Sequence, residues 1–138
     1  MPSRVTHVLD ASALIAFFKG EAGHDRVTAL LKDERNNSAM HIVNLCEVYY
    51  GYLGDDGLQK ANESWERATQ LVGILTTVDE GFIKRVGRWK VALQPRLGLG
   101  DSFLAACAEE NAAILVTADH TCFDRVQQAG LIQVDFIR

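Results

Sequence analysis

The sequence predicts a single α/β domain, residues 1–138, in which a mainly parallel five-stranded sheet lies between two layers of helices. Two observations carry this prediction. Five short aliphatic or β-branched segments are spread along the chain, and segments with an apolar residue every three or four positions lie between them. Strands that alternate with helices form a largely parallel sheet covered on both faces. With 138 residues, 48% of them hydrophobic, the chain can bury a sizeable core.

The predicted strands are separated by intervals long enough to hold helices. They are VTHVL (5–9), AMHIV (39–43), GILTTV (73–78), AILVT (113–117) and LIQVDFI (131–137). Each consists mainly of aliphatic or β-branched residues and has the length of an ordinary strand.

Helices are predicted between these strands. One is expected to begin near Ser12, and two amphipathic helices are expected over 58–72 and 79–93. Their apolar stripes are Leu58, Ala61, Trp65, Ala68 and Val72 in the first, and Phe82, Val86, Trp89 and Leu93 in the second. The segment GYLGDDG (51–57) is expected to break two helices, and QPRLGLG (94–100) to be a loop, because glycine and proline interrupt regular structure.

The composition excludes several classes of protein. The charged fraction of 23% is ordinary and argues against disorder or a coiled coil, and the longest unbroken apolar run, 13–18, is too short to span a bilayer. Three cysteines without a CxxC pair favour reduced thiols in the cytoplasm over a disulfide framework. The net charge of −4 does not exclude a nucleic-acid partner, because acids that bind cations would attract phosphate.

Four acidic residues stand where predicted strands end or predicted helices begin. Asp10 ends the first strand, and Glu47 lies just after the second. Asp101 opens a helix after a glycine-rich loop, and Asp119 follows the fourth strand. Because they are distant in sequence, no local calcium-binding loop explains them. In a parallel sheet, ligands collect beyond the carboxyl ends of the strands, so the four carboxylates are expected to converge there.

Each acid could instead serve its own helix. Asp10, Asp101 and Asp119 stand where helices are expected to start, and Asn44 and Glu47 have the spacing of a capping-box variant. This explanation leaves the repulsion among four clustered carboxylates unresolved. Mg²⁺ or Mn²⁺ would resolve it, because both prefer oxygen ligands. Zinc is disfavoured, since the histidines lack HxxxH-type spacing and the cysteines are unpaired.

Four segments carry these acids in a fixed order: VLDASAL, NLCEVYYG, LGDSFLAACA and LVTADHTCF. As a set they resemble the PIN-domain ribonucleases, specifically the VapC-type toxins of bacterial and archaeal toxin–antitoxin pairs, over about residues 5–136. The four acids match the acidic quartet of that family. Ser12 matches its hydroxyl residue two places after the first acid, and Thr117 matches the T-x-D leading into the last. Asn44 stands where many relatives carry serine.

The resemblance implies a PIN-like α/β/α sandwich and a homodimer. It implies a metal-dependent endoribonuclease that uses Mg²⁺ or Mn²⁺ to cleave RNA, leaving a 5′-phosphate and a 3′-hydroxyl. It also implies a cognate antitoxin protein whose tail occupies the active site.

The expected roles of the site residues follow from this mechanism. Asp10 and Asp101 are expected to be the principal metal ligands. Asp119 would complete the coordination or hold a second ion, and Glu47 would bind metal or orient the attacking water. Ser12 is expected to fix a carboxylate or contact phosphate, because no partner base that would make it a nucleophile is visible.

A basic segment could bind the substrate backbone. Residues 84–96 contain Lys84, Arg85, Arg88, Lys90 and Arg96. Lys84 and Arg88 lie one turn apart and off the apolar stripe, so they could follow a phosphate backbone. An ordinary solvated helix face is the alternative.

Other functions remain open at this stage. A phosphotransfer protein would also place an aspartate after its first strand, but the accompanying residues of a dehalogenase-like phosphatase or a receiver domain are missing. A non-catalytic PIN-fold module that binds RNA or protein is a second alternative, which the complete acidic quartet argues against. A nuclease of RNA maturation is a third.

Overall fold

In the computed structural model, which describes residues 4–138, the chain forms five strands and seven helices. The strands are β1 (His7–Leu9), β2 (Ser38–His41), β3 (Gly73–Leu75), β4 (Ile114–Thr117) and β5 (Val134–Phe136). The helices are α1 (Ala11–Lys19), α2 (His24–Lys32), α3 (Ile42–Asp56), α4 (Leu58–Leu71), α5 (Glu80–Ala92), α6 (Leu99–Asn111) and α7 (His120–Gln128). All strand pairs are parallel, in the order β3-β2-β1-β4-β5. The predicted fold class is confirmed.

Each face of the sheet packs against its own group of helices, because successive residues of a strand point to opposite faces. Val8 and Leu115 belong to a core shared with α5, α6 and α7. Their neighbours Leu9 and Val116 belong to a second core shared with α1, α2, α3 and α4. All four side chains are fully buried. The result is a three-layer α/β/α sandwich.

The topology places β1 at the centre of the sheet. After β1 the chain goes first to β2 and β3 on one side, and later to β4 and β5 on the other. The carboxyl ends of β1 and β4 therefore flank the point at which the strand order changes direction. Open α/β sheets bind their ligands at such a point.

Several predicted boundaries were wrong; among the strands, β3 ends at Leu75 rather than 78, and β5 is Val134–Phe136 rather than 131–137. The second strand ends at His41 rather than 43, because the His41 side chain accepts a hydrogen bond from the Val43 amide and caps α3. Helix α3 continues through most of the predicted break and ends at Asp56, with Gly57 as its C-cap at a φ of 91°. Helix α6 begins at Leu99, inside the predicted loop. Buried side chains at Val48 and Tyr52 stabilise α3 on either side of Gly51.

The apolar stripe of α4 was predicted only in part. Ala61, Ala68 and Val72 are buried, but Leu58 is 61% and Trp65 is 38% exposed. Small residues therefore form the buried face of α4, and the large ones lie at its margin. Helix α2 was not predicted.

No helix within residues 4–138 is long and apolar enough to cross a bilayer.

Candidate active site

Asp10 stands directly after β1 and is the N-cap of α1. It is 5% exposed. Its Oδ1 accepts hydrogen bonds from Ala13 N at 2.9 Å and Ser12 Oγ at 2.6 Å, and its Oδ2 accepts one from Thr117 Oγ1 at 2.5 Å. The capping role and the predicted ligand role are thus compatible, because three neutral donors hold the carboxylate without neutralising it.

Hydroxyl groups join the end of β1 to the end of β4. Ser12 Oγ accepts from Ala118 N at 3.0 Å, and Thr117 Oγ1 accepts from Asp119 N at 2.9 Å. Since the same two hydroxyls donate to Asp10, they relate the position of Asp10 to the segment that carries Asp119. The Asp119 carboxylate caps α7, accepting from Cys122 N at 3.2 Å.

Glu47 reaches the same region from the second turn of α3. It is half-buried, and its Oε1 accepts from Asn44 Nδ2 at 2.8 Å. The N-cap of α3 is His41, so Asn44 and Glu47 do not form the capping-box variant that their spacing allowed. Asn44 Nδ2 also donates to Gly100 O at 3.1 Å, which brings α3 against the first turn of α6.

Asp101 lies in that first turn of α6 and is half-buried. The N-cap of α6 is Gly98, so Asp101 is not a cap. The Cys122 thiol lies beside the carboxylates of Asp101 and Asp119, close enough for both of them to raise its pKa. This contact was not predicted, although Cys122 lies one helical turn after Asp119, a spacing that places the two side chains on one face.

The pKa shifts connect the acids electrostatically. Burial raises the pKa of Asp10 to about 6, against the hydrogen bonds that lower it, and the charge of Asp101 raises it further. The pKa of Glu47 is raised by burial first and then by Asp101. The pKa of Asp101 is raised by burial first and then by Asp119. Asp101 is therefore electrostatically coupled to each of the other three acids.

The set of oxygen donors fits a hard divalent cation. The groups that lower the pKa of Asp10, Glu47 and Asp101 are neutral hydrogen-bond donors, and none of the ion pairs within residues 4–138 includes any of the four acids. As the side chains stand, no three His, Cys, Asp or Glu side chains in that range are grouped tightly enough to hold a metal ion. The site is thus an unneutralised cluster of carboxylates rather than a preassembled cage.

A family model described as the PIN domain matches residues 7–129 of the sequence. The chain belongs to the PIN-domain family. The match includes all four acids, together with Ser12 and Thr117. A comparison with curated proteins gave no significant match.

Solved structures show the same fold for nearly the whole PIN domain. VapBC2 from Rickettsia felis, bound to a promoter DNA fragment, has a TM-score of 0.75 at 18% identity, covering 96% of this chain and 98% of that one. VapBC-1 from nontypeable Haemophilus influenzae has a TM-score of 0.72 at 23% identity, with 96% and 98% covered. Mycobacterium tuberculosis VapC20, a sarcin-ricin loop cleaving toxin, has a TM-score of 0.72 at 16% identity, with 94% and 98% covered.

The basic segment of the PIN domain is largely engaged in internal contacts. Lys84 pairs with Glu80, Arg85 pairs with Glu109, and Lys90 donates to the Leu97 carbonyl. Within residues 4–138, Arg88 and Arg96 are the exposed members of the set without such a contact. The prediction that Lys84 and Arg88 follow a phosphate backbone stays a prediction.

The histidines take other roles in this PIN domain. His41 is fully buried and stacks on Phe82 at a centroid distance of 5.2 Å. His120 stacks on Phe136 and hydrogen-bonds to Asp124 and to the Arg138 carbonyl, so its ring is turned to the C-terminal segment rather than to Asp119.

Proposed function

We propose that this PIN domain is a metal-dependent endoribonuclease and the toxin of a toxin–antitoxin pair. The observation that carries the proposal is the electrostatic coupling of Asp10, Glu47 and Asp119 to Asp101 near the switch point of the sheet, where none of the four acids forms an ion pair within residues 4–138. Asp101 raises the pKa of Asp10 and Glu47, and Asp119 raises that of Asp101. Such repulsion is unfavourable for folding, so a catalytic or metal-binding role best explains why these acids lie close together.

The cation would be Mg²⁺ or Mn²⁺. Asp10 and Asp101 would be its principal ligands, with Asp119 and Glu47 beside them. On Asp10 the less engaged oxygen is Oδ2, which accepts one hydrogen bond where Oδ1 accepts two. When bound, the cation supplies positive charge for the phosphate under attack and acidity for water.

Neighbouring side chains of the protein would position the acidic residues. Ser12 and Thr117 hold the Asp10 carboxylate in one rotamer, and Asn44 does the same for Glu47. Ser12 is not a suitable nucleophile, because its hydroxyl donates to a carboxylate and accepts from a backbone amide, and no histidine bonds to it. Water is therefore the proposed nucleophile, with Glu47 as the residue that orients it.

The proposed partners follow the relatives. VapC20 cleaves the sarcin-ricin loop, and the Rickettsia and Haemophilus structures are VapBC toxin–antitoxin systems. By analogy we assign this chain an RNA substrate, a cognate antitoxin, a homodimeric state and a place in the cytoplasm. Light scattering of the purified protein tests the dimer, and co-expression with the product of an adjacent small reading frame tests the antitoxin.

The deciding experiment is cleavage of total cellular RNA by the wild type and by Asp101→Asn, each with Mg²⁺, with Mn²⁺ and with EDTA. Metal-dependent cuts that are lost in Asp101→Asn are the expected result, and mapping their ends identifies the RNA. Asp79→Asn is the matched control, because Asp79 caps α5 through Phe82 N at 2.9 Å and is not among the groups that raise the pKa of Asp10, Glu47 or Asp101. Equal cutting by all three proteins would indicate a contaminant. Tight RNA binding without cutting would indicate a binding module instead.

A further inference from the structure

One buried amide joins α3 to α6 at the acidic site. Asn44 is 0% exposed, and its Nδ2 donates to Glu47 Oε1 at 2.8 Å and to Gly100 O at 3.1 Å. Gly100 immediately precedes Asp101. The amide therefore links the helix that carries Glu47 to the turn that carries Asp101.

The chemistry of the two partners fixes the direction of this amide. Both are hydrogen-bond acceptors, so only the NH₂ end of Asn44 can face them. Its Oδ1 is then left buried and without a partner in residues 4–138. An unpaired buried acceptor is destabilising, so the two donated bonds must hold the side chain in place. A serine hydroxyl has one hydrogen and could serve only one of the two acceptors.

Gly100 provides a second, independent restraint on the same carboxylate. A Cβ at this position would lie 2.5 Å from Glu47 Oε2 and 2.7 Å from Glu47 Cδ. Gly100 lies in the first turn of α6 and is not among the glycines with positive φ, so its backbone conformation would accept alanine. An alanine at this position would therefore have to displace the Glu47 carboxylate.

We propose that Asn44 and Gly100 are positioning residues that hold the Glu47 carboxylate at a set distance from Asp101. The effect of this arrangement on metal binding and cleavage rests on the proposed nuclease function. The contact itself does not, and it can be tested without metal.

The metal-free test is nuclear magnetic resonance of the ¹⁵N-labelled protein. Both side-chain amide protons of Asn44 are expected to exchange slowly with solvent, because each is buried in a hydrogen bond. Glu47→Ala is expected to shift one of them strongly and leave the other bonded to the Gly100 carbonyl. Rapid exchange of both protons, or resonances that do not respond to Glu47→Ala, would overturn the proposal.

The functional test is a double-mutant cycle read out by Mn²⁺ affinity, from electron paramagnetic resonance, and by cleavage rate. Asn44→Ala is expected to reduce both by about 10- to 100-fold, the usual effect of removing a residue that orients a metal ligand. In a Glu47→Ala background, Asn44→Ala is expected to change the Mn²⁺ affinity and the cleavage rate by less than about twofold, because Asn44 acts through Glu47. Equal losses in both backgrounds would contradict positioning. The control is Asn111→Ala, since the Asn111 amide bonds the Cys107 carbonyl at the other end of α6.

Gly100→Ala tests the steric half of the proposal. The variant is expected to fold, because alanine favours a helix, yet to lose Mn²⁺ affinity as Glu47 is displaced. Gly87→Ala in α5 is the control, because apart from the adjacent backbone of its own helix nothing within residues 4–138 lies within 4 Å of the new methyl group. Unchanged affinity in Gly100→Ala would overturn the steric argument. A wild type that neither binds Mn²⁺ nor cuts RNA would refute the proposed function, and the resonance experiment would then decide positioning alone.

Discussion

At the scale of single residues, Asp10 is deeply buried, yet its carboxylate forms no ion pair within residues 4–138. Its pKa is raised from 3.8 to about 6, chiefly by burial. The folded state therefore holds this proton more tightly than the unfolded state does. In the absence of divalent cations, the contribution of Asp10 to the free energy of unfolding is most favourable below about pH 4 and is lost as the pH rises through about 6.

Asp10→Asn is accordingly expected to stabilise the metal-free protein above about pH 6. Two pKa units correspond to a difference of up to about 3 kcal/mol in the free energy of unfolding, which should shrink toward zero near pH 4. Urea unfolding in EDTA across this pH range measures it. Asp79→Asn should only lose stability, because it weakens an exposed cap without removing a buried charge. If Asp10→Asn raises the free energy of unfolding equally at all pH values, the raised pKa of Asp10 is not the cause.

The thiols offer a second prediction at this scale. The pKa values of Cys107 and Cys122 are raised to about 12, in both cases first by burial, and for Cys122 also by Asp101 and Asp119. At pH 8 their thiolate fractions are about a thousandfold below that of an ordinary thiol. Iodoacetamide followed by mass spectrometry should therefore label the exposed Cys46 first.

The same labelling experiment tests whether Asp101 contributes to the raised pKa of Cys122. Asp101→Asn is expected to speed its alkylation, because the variant removes a neighbouring negative charge, while Cys107 should react as before. Fast labelling of Cys122 in the wild type, or a rate unaffected by Asp101→Asn, would show that the thiol does not lie between the two carboxylates.

The residues of the site differ in how far the sequence predicted them. The positions of Asp10 and Asp119 follow from strand ends, and a parallel topology brings strand ends together. Gly100 contacts Glu47, and Cys122 lies beside Asp101; in both cases the partner is far away in the sequence. Periodicity does not indicate such contacts, so both were missed, although the spacing of Cys122 from Asp119 was a local signal.

At the scale of elements, Thr117 connects the end of β4 to the end of β1. Its hydroxyl donates to Asp10 and accepts from the Asp119 amide, and the side chain is fully buried. Thr117→Val keeps the shape but leaves both partners unsatisfied, so the free energy of unfolding should fall by about 1–3 kcal/mol. Cleavage should fall as well. Thr28→Val is the control, because the Thr28 hydroxyl bonds only within α2. Equal stability of the two variants in urea would contradict this connection.

The helix boundaries show where local signals fail. Glycines at 51 and 54 and the loop-like residues before Asp101 predicted breaks, yet α3 and α6 run through parts of both segments. Helix propensity is worth about 1 kcal/mol for a glycine, which the burial of one large side chain offsets. The strands were located more reliably, because short β-branched segments between helices have few alternatives in this fold class.

At the scale of the whole molecule, the acidic site links cation binding to global stability. A ligand that binds only the folded state stabilises it by RT ln(1 + [L]/Kd), or about 2.7 kcal/mol at a hundred times Kd. For a chain of this size that amounts to a rise in Tm of roughly 10 °C. Mn²⁺ is therefore expected to raise the Tm of the wild type substantially in differential scanning calorimetry.

The variants and the salt control separate specific binding from screening. Because Asp101 is electrostatically coupled to each of the other three acids, the Asp101→Asn variant should lose most of the Mn²⁺-dependent rise in Tm. Asp79→Asn should keep it. NaCl at matched ionic strength should raise the Tm of every protein only slightly, since screening weakens repulsion without occupying a site. Equal rises in the wild type and Asp101→Asn would mean that Mn²⁺ binds elsewhere, and the four acids would then need a different explanation.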